Sequence, residues 1–252
     1  MGTPVPRRPR PGPAGPPVPL ETLEELDPAV LVEPADPAGL ARPVWYAAYG
    51  SNMHRARLNA YLAGGRPPGS RRRYPGCRDP RPPAADLPLL LPGRLYFARE
   101  SRVWGGGMAF LDALDDGELP ARGYLLTVDQ LLDVASQEMH RIPRAATAPG
   151  LAAALRDGRA SLGPGRYETL LCPGTVDGHP VLTFTAPGRS SEAPLSRPSA
   201  GYLRALAAGL AESHGWPPAR AAAYLSTRPG AAGRWTPAEL LAQLRPWADL
   251  HG

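Results

Sequence analysis

The chain has 252 residues and a formal net charge of +5, and all 28 of its basic residues are arginine. No apolar run approaches the ~20 residues that a bilayer-spanning helix needs, and no apolar stretch follows Arg7, Arg8 and Arg10, so neither a membrane span nor a secretory leader is expected. A cytoplasmic location is the expectation, and the two isolated cysteines, Cys77 and Cys172, suit a reducing compartment better than a disulfide framework.

The basic surplus accompanies heavy alanine, glycine and proline usage, as in high-GC genomes. The densest basic stretch, Arg71-Arg72-Arg73, lacks the interleaved aromatics of a single-strand binder, so nucleic acid is not the expected partner. The five histidines (His54, His140, His179, His214, His251) show neither H-x-x-x-H nor H-E-x-x-H spacing. No metal and no cofactor is expected.

Residues 1–43 hold a dozen prolines and no sustained periodicity. Such a segment buries too little apolar surface to offset its ordering entropy, so it is predicted to be largely disordered, with a short acidic helix allowed over residues 20–31. The first clear element is the run 44–49, apolar throughout, which reads as a buried strand. It breaks at Gly50, and Ser51 or Asn52 is a suitable N-cap for a helix from Met53 to Leu62. Residues 63–92 are rich in glycine, proline and arginine, and read as a functional loop or a mobile insertion.

Strand-like runs follow at 94–98, 108–111 and 123–126. Thr127 and Gln130 then form a capping box for a helix over 128–139. Two more strands are predicted at 167–171 and 181–185, parted by the hairpin signal Asp177-Gly178. A helix starts after Pro198 and stops near Gly215, a short one covers 218–225, and a capping box at Thr236–Glu239 opens a C-terminal helix. The sum is an α+β protein: a small mixed, barrel-like sheet with a few flanking helices. Its expected domain division is a proline-rich head (1–43), a central domain (44–225) and a helical extension (226–252).

Two places carry chemistry. At the strand–turn–helix junction, unpaired backbone N–H groups at a helix start favour an anion, and Gly50 lets a ligand approach the backbone. Plain N-capping is the bland alternative. The second place is Glu138, whose i−7, i−4 and i−3 neighbours are Leu131, Val134 and Ala135. That spacing puts a carboxylate on an apolar helix face near the C-terminal end, where desolvation and the helix dipole both raise its pKa. It could equally turn into solvent or pair with Arg141 or Arg144.

The string Ala48-Tyr49-Gly50-Ser51-Asn52-Met53 resembles the Tyr-Gly-Ser-Asn-Leu signature of the γ-glutamylcyclotransferase superfamily, with Met in place of Leu. Three further stretches line up in order: Trp104-Gly105-Gly106-Gly107-Met108-Ala109, Gln137-Glu138, and Ala193-Pro194 through Tyr202. The resemblance implies Glu138 as the catalytic acid–base. It also implies a substrate pocket using Tyr49, Gly50, Ser51, Asn52, Met53, Gly106, Gly107 and Tyr202. The implied reaction is release of an amine and 5-oxoproline from a small γ-glutamyl substrate, by a monomer or homodimer. Met139 departs from the pattern, which has glycine after the catalytic glutamate. A non-catalytic binding module of the same fold, an interaction protein using the Pro/Arg segments, and an amide hydrolase using Cys172 or Ser51 are the alternatives.

Overall fold

The computed structural model describes residues 15–21, 42–67, 70, 72–143 and 150–251, with 245–251 described by backbone alone. The first strand, β1 (Pro43–Ala48), is buried from Val44 onward, as expected of a central strand covered on both faces. Along the chain follow β2 (Asp86–Pro92), β3 (Arg94–Ala98), β4 (Met108–Asp112), β5 (Glu118–Thr127), β6 (Arg159–Ser161), β7 (Thr169–Val176) and β8 (His179–Thr185). Six of them form one mixed sheet in the order β2-β5-β1-β8-β7-β6. Only the β1–β8 pair is parallel; β3 and β4 form a separate antiparallel pair. The α+β class and the mixed sheet are thus as read from the sequence, but the sheet is open, with β2 and β6 as its edges.

The helices are α1 (Arg55–Leu62), α2 (Val128–Glu138), α3 (Leu151–Asp157), α4 (Ala200–His214), α5 (Pro218–Ser226) and α6 (Pro237–His251). None of the described helices is long and apolar enough to cross a membrane. Both predicted capping boxes form: Thr127 with Gln130, and Thr236 with Glu239. Ser199 caps α4 by accepting from Tyr202 N, and Gly215 ends that helix in the left-handed conformation. At the β7–β8 turn, Asp177 and Gly178 have φ of 51° and 70°, the two positive values of a type I′ hairpin.

Two local expectations are corrected. Ser51 and Asn52 do not cap a helix; they belong to a 3-10 turn, Ser51–Met53, and α1 begins only after His54. The stretch 63–92 is no free loop: its last seven residues are strand β2, whose Leu89 and Leu91 are fully buried. Pro88 and Pro92 hid it, and they are tolerated because β2 is an edge strand, met on its outer side by a single bridge from Val18. The rest lies along α2, held by Arg78 to Asp133 and by Gln130 Nε2 to the carbonyls of Asp79 and Arg81. Strand β6 and helix α3 were not foreseen.

Of the proline-rich head, residues 15–21 reach across the sheet. Val18 N donates to Pro88 O beside β2, and Glu21 pairs with Thr175 of β7 at 2.9 and 3.0 Å. The helix expected near residues 20–31 lies, from residue 22 on, outside the described residues. At the other end, Leu240 and Leu244 of α6 belong to the same core as β1 and α4.

Helix α4 packs onto the 3-10 turn through Gly209, where an added Cβ would stand 2.3 Å from Met53 Cβ and 3.0 Å from the backbone N of His54. Gly209→Ala is therefore expected to lower unfolding stability by about 1–3 kcal/mol, as overpacking does. Chemical denaturation measures this; an unchanged midpoint would show that the α4–turn contact is looser than described.

Candidate active site

One cleft collects side chains from the turn after β1, from α1, from the end of α2, and from β8 and α4. Its floor is aromatic: Tyr46 stacks on Phe184 at 5.4 Å, and Trp104 lies 5.4 Å from Tyr202. Ser51 and Asn52 sit in its wall, both buried. Among the described residues the N–H groups of Ser51 and Asn52 meet no backbone carbonyl, as a 3-10 turn leaves its first donors without internal acceptors.

Glu138 is the last residue of α2, and lines the cleft. Asn52 Nδ2 donates to Glu138 Oε1 at 2.9 Å, joining the two chemical features of the sequence across 86 positions. Burial pushes the Glu138 carboxyl above the usual glutamate range; the Tyr61 hydroxyl, Arg57, Asn52 and Arg72 act in the opposite direction without cancelling it. Next to it, Gln137 turns inward and donates to Tyr61 O at 3.0 Å and Asp133 O at 3.3 Å, which fixes the end of α2 against α1. Glu138 does not pair with Arg141, whose guanidinium donates to Pro164 O; Arg144 lies outside the described residues.

The departure at Met139 is absorbed without distortion. Met139 has a right-handed backbone, with φ −81° and ψ 9°. The left-handed residue is the next one, His140, at φ 61°. Histidine is among the side chains that adopt this conformation more readily, and here it brings the imidazole to the cleft.

The other sequence candidates divide. Tyr49, Gly50 and Tyr202 line the cleft. Tyr49 OH donates to Phe184 O at 2.9 Å, and Tyr202 OH accepts from Ala109 N at 3.1 Å. A Cβ on Gly50 would come 3.5 Å from the Tyr202 hydroxyl, so glycine keeps open the space between them. Met53, Gly106 and Gly107 do not line the cleft. Met53 is core beneath the turn, and its carbonyl accepts from Arg122 Nη1 at 3.1 Å and Tyr124 OH at 2.8 Å. Gly106 and Gly107 lie against the carbonyls of Arg197 and Ser196, where a Cβ would approach to 2.2 Å. Their task is close backbone packing.

The main residue missed in the sequence is Arg57. It is 2% exposed, lines the cleft, and stacks over the Trp104 ring at 4.5 Å. Its Nε and Nη1 have no hydrogen-bond acceptor among the described residues. Buried polar groups without a partner are rare and costly, which marks Arg57 as a candidate binding group. The available signal was helical spacing: Arg57 and Tyr61, four apart, share the inward face of α1. Asn52 Oδ1, also unpartnered and buried, is a second open position, an acceptor beside Glu138.

The hydrolase alternative finds little here. Cys172 is outside the cleft, and burial pushes its thiol up to about 12. Among the described residues, no hydrogen bond joins Ser51 Oγ to a histidine, as a serine nucleophile would need. No cluster of potential metal ligands occurs among the described residues.

No protein-family model matches the chain. It is 34% identical over 214 residues to a protein named histone deacetylase 5 from Arabidopsis thaliana, a match covering 77% of this chain and 32% of that protein. The chain thus spans about a third of that relative's length. Among solved structures it is similar to the human protein loc79017 (16% identity, TM-score 0.44, 79% of this chain and 98% of that one). It is also similar to a γ-glutamyl cyclotransferase (16% identity, TM-score 0.42, 81% and 99%). A third is YkqA from Bacillus subtilis (17% identity, TM-score 0.36, 67% and 48%).

The raised pKa of Glu138 makes a stability prediction. Folding favours its protonated form, so its contribution to stability is fully present below the ordinary glutamate pKa and is lost as pH rises through the raised value. Glu138→Gln removes the buried charge while keeping an acceptor for Asn52. The variant is expected to melt above the wild type at pH ~8, with the gap closing towards pH ~4, about the unperturbed glutamate value. A gap that stayed constant across that range would show that Glu138 titrates normally.

Proposed function

We propose that this protein is a cyclotransferase of the γ-glutamylcyclotransferase kind, acting on a γ-glutamyl amide. The observation that carries the reading is the enclosed Glu138 carboxylate, 2.9 Å from Asn52 Nδ2 and facing the same cleft as the turn Gly50–Ser51–Asn52. A carboxylate held above its usual pKa, between open donors and open acceptors, suits a proton shuttle better than a structural ion pair.

The reaction is intramolecular. The substrate's α-ammonium loses a proton to Glu138, and the freed amine nitrogen attacks the γ-carbonyl carbon. A new C–N bond closes the five-membered ring; Glu138 gives its proton to the departing nitrogen as the old amide C–N bond breaks, then takes the second proton that the ring nitrogen sheds on becoming an amide and passes it to the released amine. The products are 5-oxoproline and an ammonium, with no net change in protons or electrons. The unpartnered Asn52 Oδ1 suits the α-ammonium, and the unpartnered Nε and Nη1 of Arg57 suit the α-carboxylate. The unpaired N–H groups of Ser51 and Asn52 are suited to the oxygen on which negative charge develops. Holding the glutamyl unit folded supplies proximity without an enzyme nucleophile.

Incubation with γ-glutamyl compounds, with 5-oxoproline followed by mass spectrometry, tests the reading. The wild type is expected to form 5-oxoproline, and Glu138→Gln to lose at least about 100-fold in kcat/KM, within the range for a general acid–base group. The wild-type kcat/KM should fall on an acid limb centred above the ordinary glutamate pKa, since a protonated Glu138 is no base. Undiminished turnover by Glu138→Gln would sink the mechanism.

A further inference from the structure

The segment that sequence composition marks as an insertion closes on itself beside Glu138. Gly65 and Tyr74 exchange both backbone hydrogen bonds, Gly65 N to Tyr74 O at 3.0 Å and Tyr74 N to Gly65 O at 2.7 Å. Next to that bridge the chain meets itself at two glycines. A Cβ on Gly64 would stand 2.8 Å from Pro75 O, and one on Gly76 would stand 2.9 Å from Gly64 N. Cys77 N then donates to Leu62 O at 2.8 Å, and Arg78 N to Asp133 Oδ2 at 2.8 Å, which pins the returning chain to α1 and α2. A segment tied at both ends in this way presents Tyr74, 3% exposed, to the cleft as a fixed side chain.

There Tyr74 meets Tyr61 of α1. Their ring centroids are 4.1 Å apart and their hydroxyls 3.0 Å apart. Tyr61 is held against the end of α2, since Gln137 Nε2 and Cys77 Sγ both donate to its carbonyl. Its hydroxyl is also a hydrogen-bond partner of the Glu138 carboxyl, and the strongest of the influences that oppose burial there. The two phenols therefore form a chain from the carboxyl into residues 64–77. Each phenol has one proton and both donates and accepts. With Glu138 protonated, Tyr61 donates to Tyr74, the direction found in the structure. With Glu138 ionised, both hydroxyls turn: Tyr74 donates to Tyr61, and Tyr61 to the carboxylate. Burial holds the Tyr61 hydroxyl far above the usual tyrosine range, so it turns its proton without losing it.

We propose that Tyr61 and Tyr74 are positioning residues for Glu138, a reversible pair of hydroxyls that supports the carboxyl in both protonation states. Residues 64–77 then belong to the active site, because they supply the second hydroxyl. This rests on the cyclotransferase reading for the reaction that uses Glu138, but the chain of hydroxyls is testable without substrate. The other charged or titratable groups around the Glu138 carboxyl are Arg57, Arg72, Tyr46, Tyr167 and Tyr202, with His140 and Arg166 in the same cleft. All of them remain when one hydroxyl of the pair is removed.

Protein labelled with carbon-13 at the glutamate carboxyl carbon reports the titration of Glu138, whose resonance is identified by its absence from Glu138→Gln. Tyr61→Phe keeps the ring and removes the donor. The midpoint is expected to rise by about one pH unit, because a hydrogen bond to a charged group outweighs one to a neutral group. Tyr74→Phe, which acts through Tyr61, is expected to raise it by about half as much. The double variant should go no further than Tyr61→Phe alone, because the two hydroxyls act as one chain. An unmoved or lowered midpoint in either single variant, or a Tyr74→Phe shift that persists at full size in the Tyr61→Phe background, overturns the proposal. The acid limb of kcat/KM for 5-oxoproline formation should move with the midpoint in each variant; a limb that stays in place would show that the pair does not serve the reaction. Absence of 5-oxoproline from the wild type across the γ-glutamyl compounds removes the cyclotransferase reading instead, and the carboxyl titration still decides the pair.

Discussion

The cleft depends on how one short turn is gripped from below. The carbonyl oxygen of Met53 accepts from both Arg122 Nη1 and the Tyr124 hydroxyl, and the latter also reaches Asn52 O at 3.1 Å. Arg122 is nearly buried, and its guanidinium is shared with Asp86 of β2 and Glu212 of α4. An edge strand, a central strand and a helix thus converge on two carbonyl groups. With those carbonyls tied down, the turn is held at the wall of the cleft, and Asn52 is set within reach of Glu138. A buried network of this kind contributes little net stability, but loss of one partner leaves uncompensated charge and costs roughly 3–5 kcal/mol. The fold therefore locks the turn in one geometry more than it strengthens the whole.

Glu138 sits under opposed influences. Desolvation favours its neutral form; Arg57, Asn52 and the nearby Tyr61 hydroxyl favour its charge, and burial prevails. The outcome is a carboxyl that exchanges a proton more readily near neutrality than an exposed glutamate. The aromatic floor of Tyr46, Tyr61, Tyr167 and Tyr202 makes this possible, since it excludes water and offers hydroxyls whose own ionisation is suppressed by burial. Their protons remain in place, so Glu138 is the acidic group of the cleft suited to exchange.

The same low-polarity enclosure gives the cleft arginines their weight. A guanidinium without a carboxylate attracts an anion more strongly beside stacked rings than on the open surface. Arg57 over Trp104 and Arg72 over Tyr74 both have this arrangement. Stacking holds each planar cation through its face, and leaves Nε and Nη1 of Arg57 without an acceptor among the described residues.

What the linear sequence determined was local. The buried strand at 44–49, the capping boxes at Thr127 and Thr236, the Asp177-Gly178 hairpin and the stop at Gly215 follow from side-chain preferences over a few residues. Glu138 was legible in part: helical spacing allowed it an apolar face but equally a place in solvent, and only the resemblance chose between them. Strand β2 was not, since Pro88 and Pro92 break the strand signal unless one knows that it lies at a sheet edge. Nor was the division of labour within the motifs. Met53, Gly106 and Gly107 look like Ser51 and Asn52 in the sequence, yet tertiary packing turns the first three to core and backbone contacts and the other two to the cleft. Arg57 and Arg72 gain their meaning only from where the fold puts them, in one cleft with Glu138 and with no ion pair of their own among the described residues. Pairing between residues far apart in the chain is set by the strand order of the sheet and the seating of α4, and no local preference encodes it.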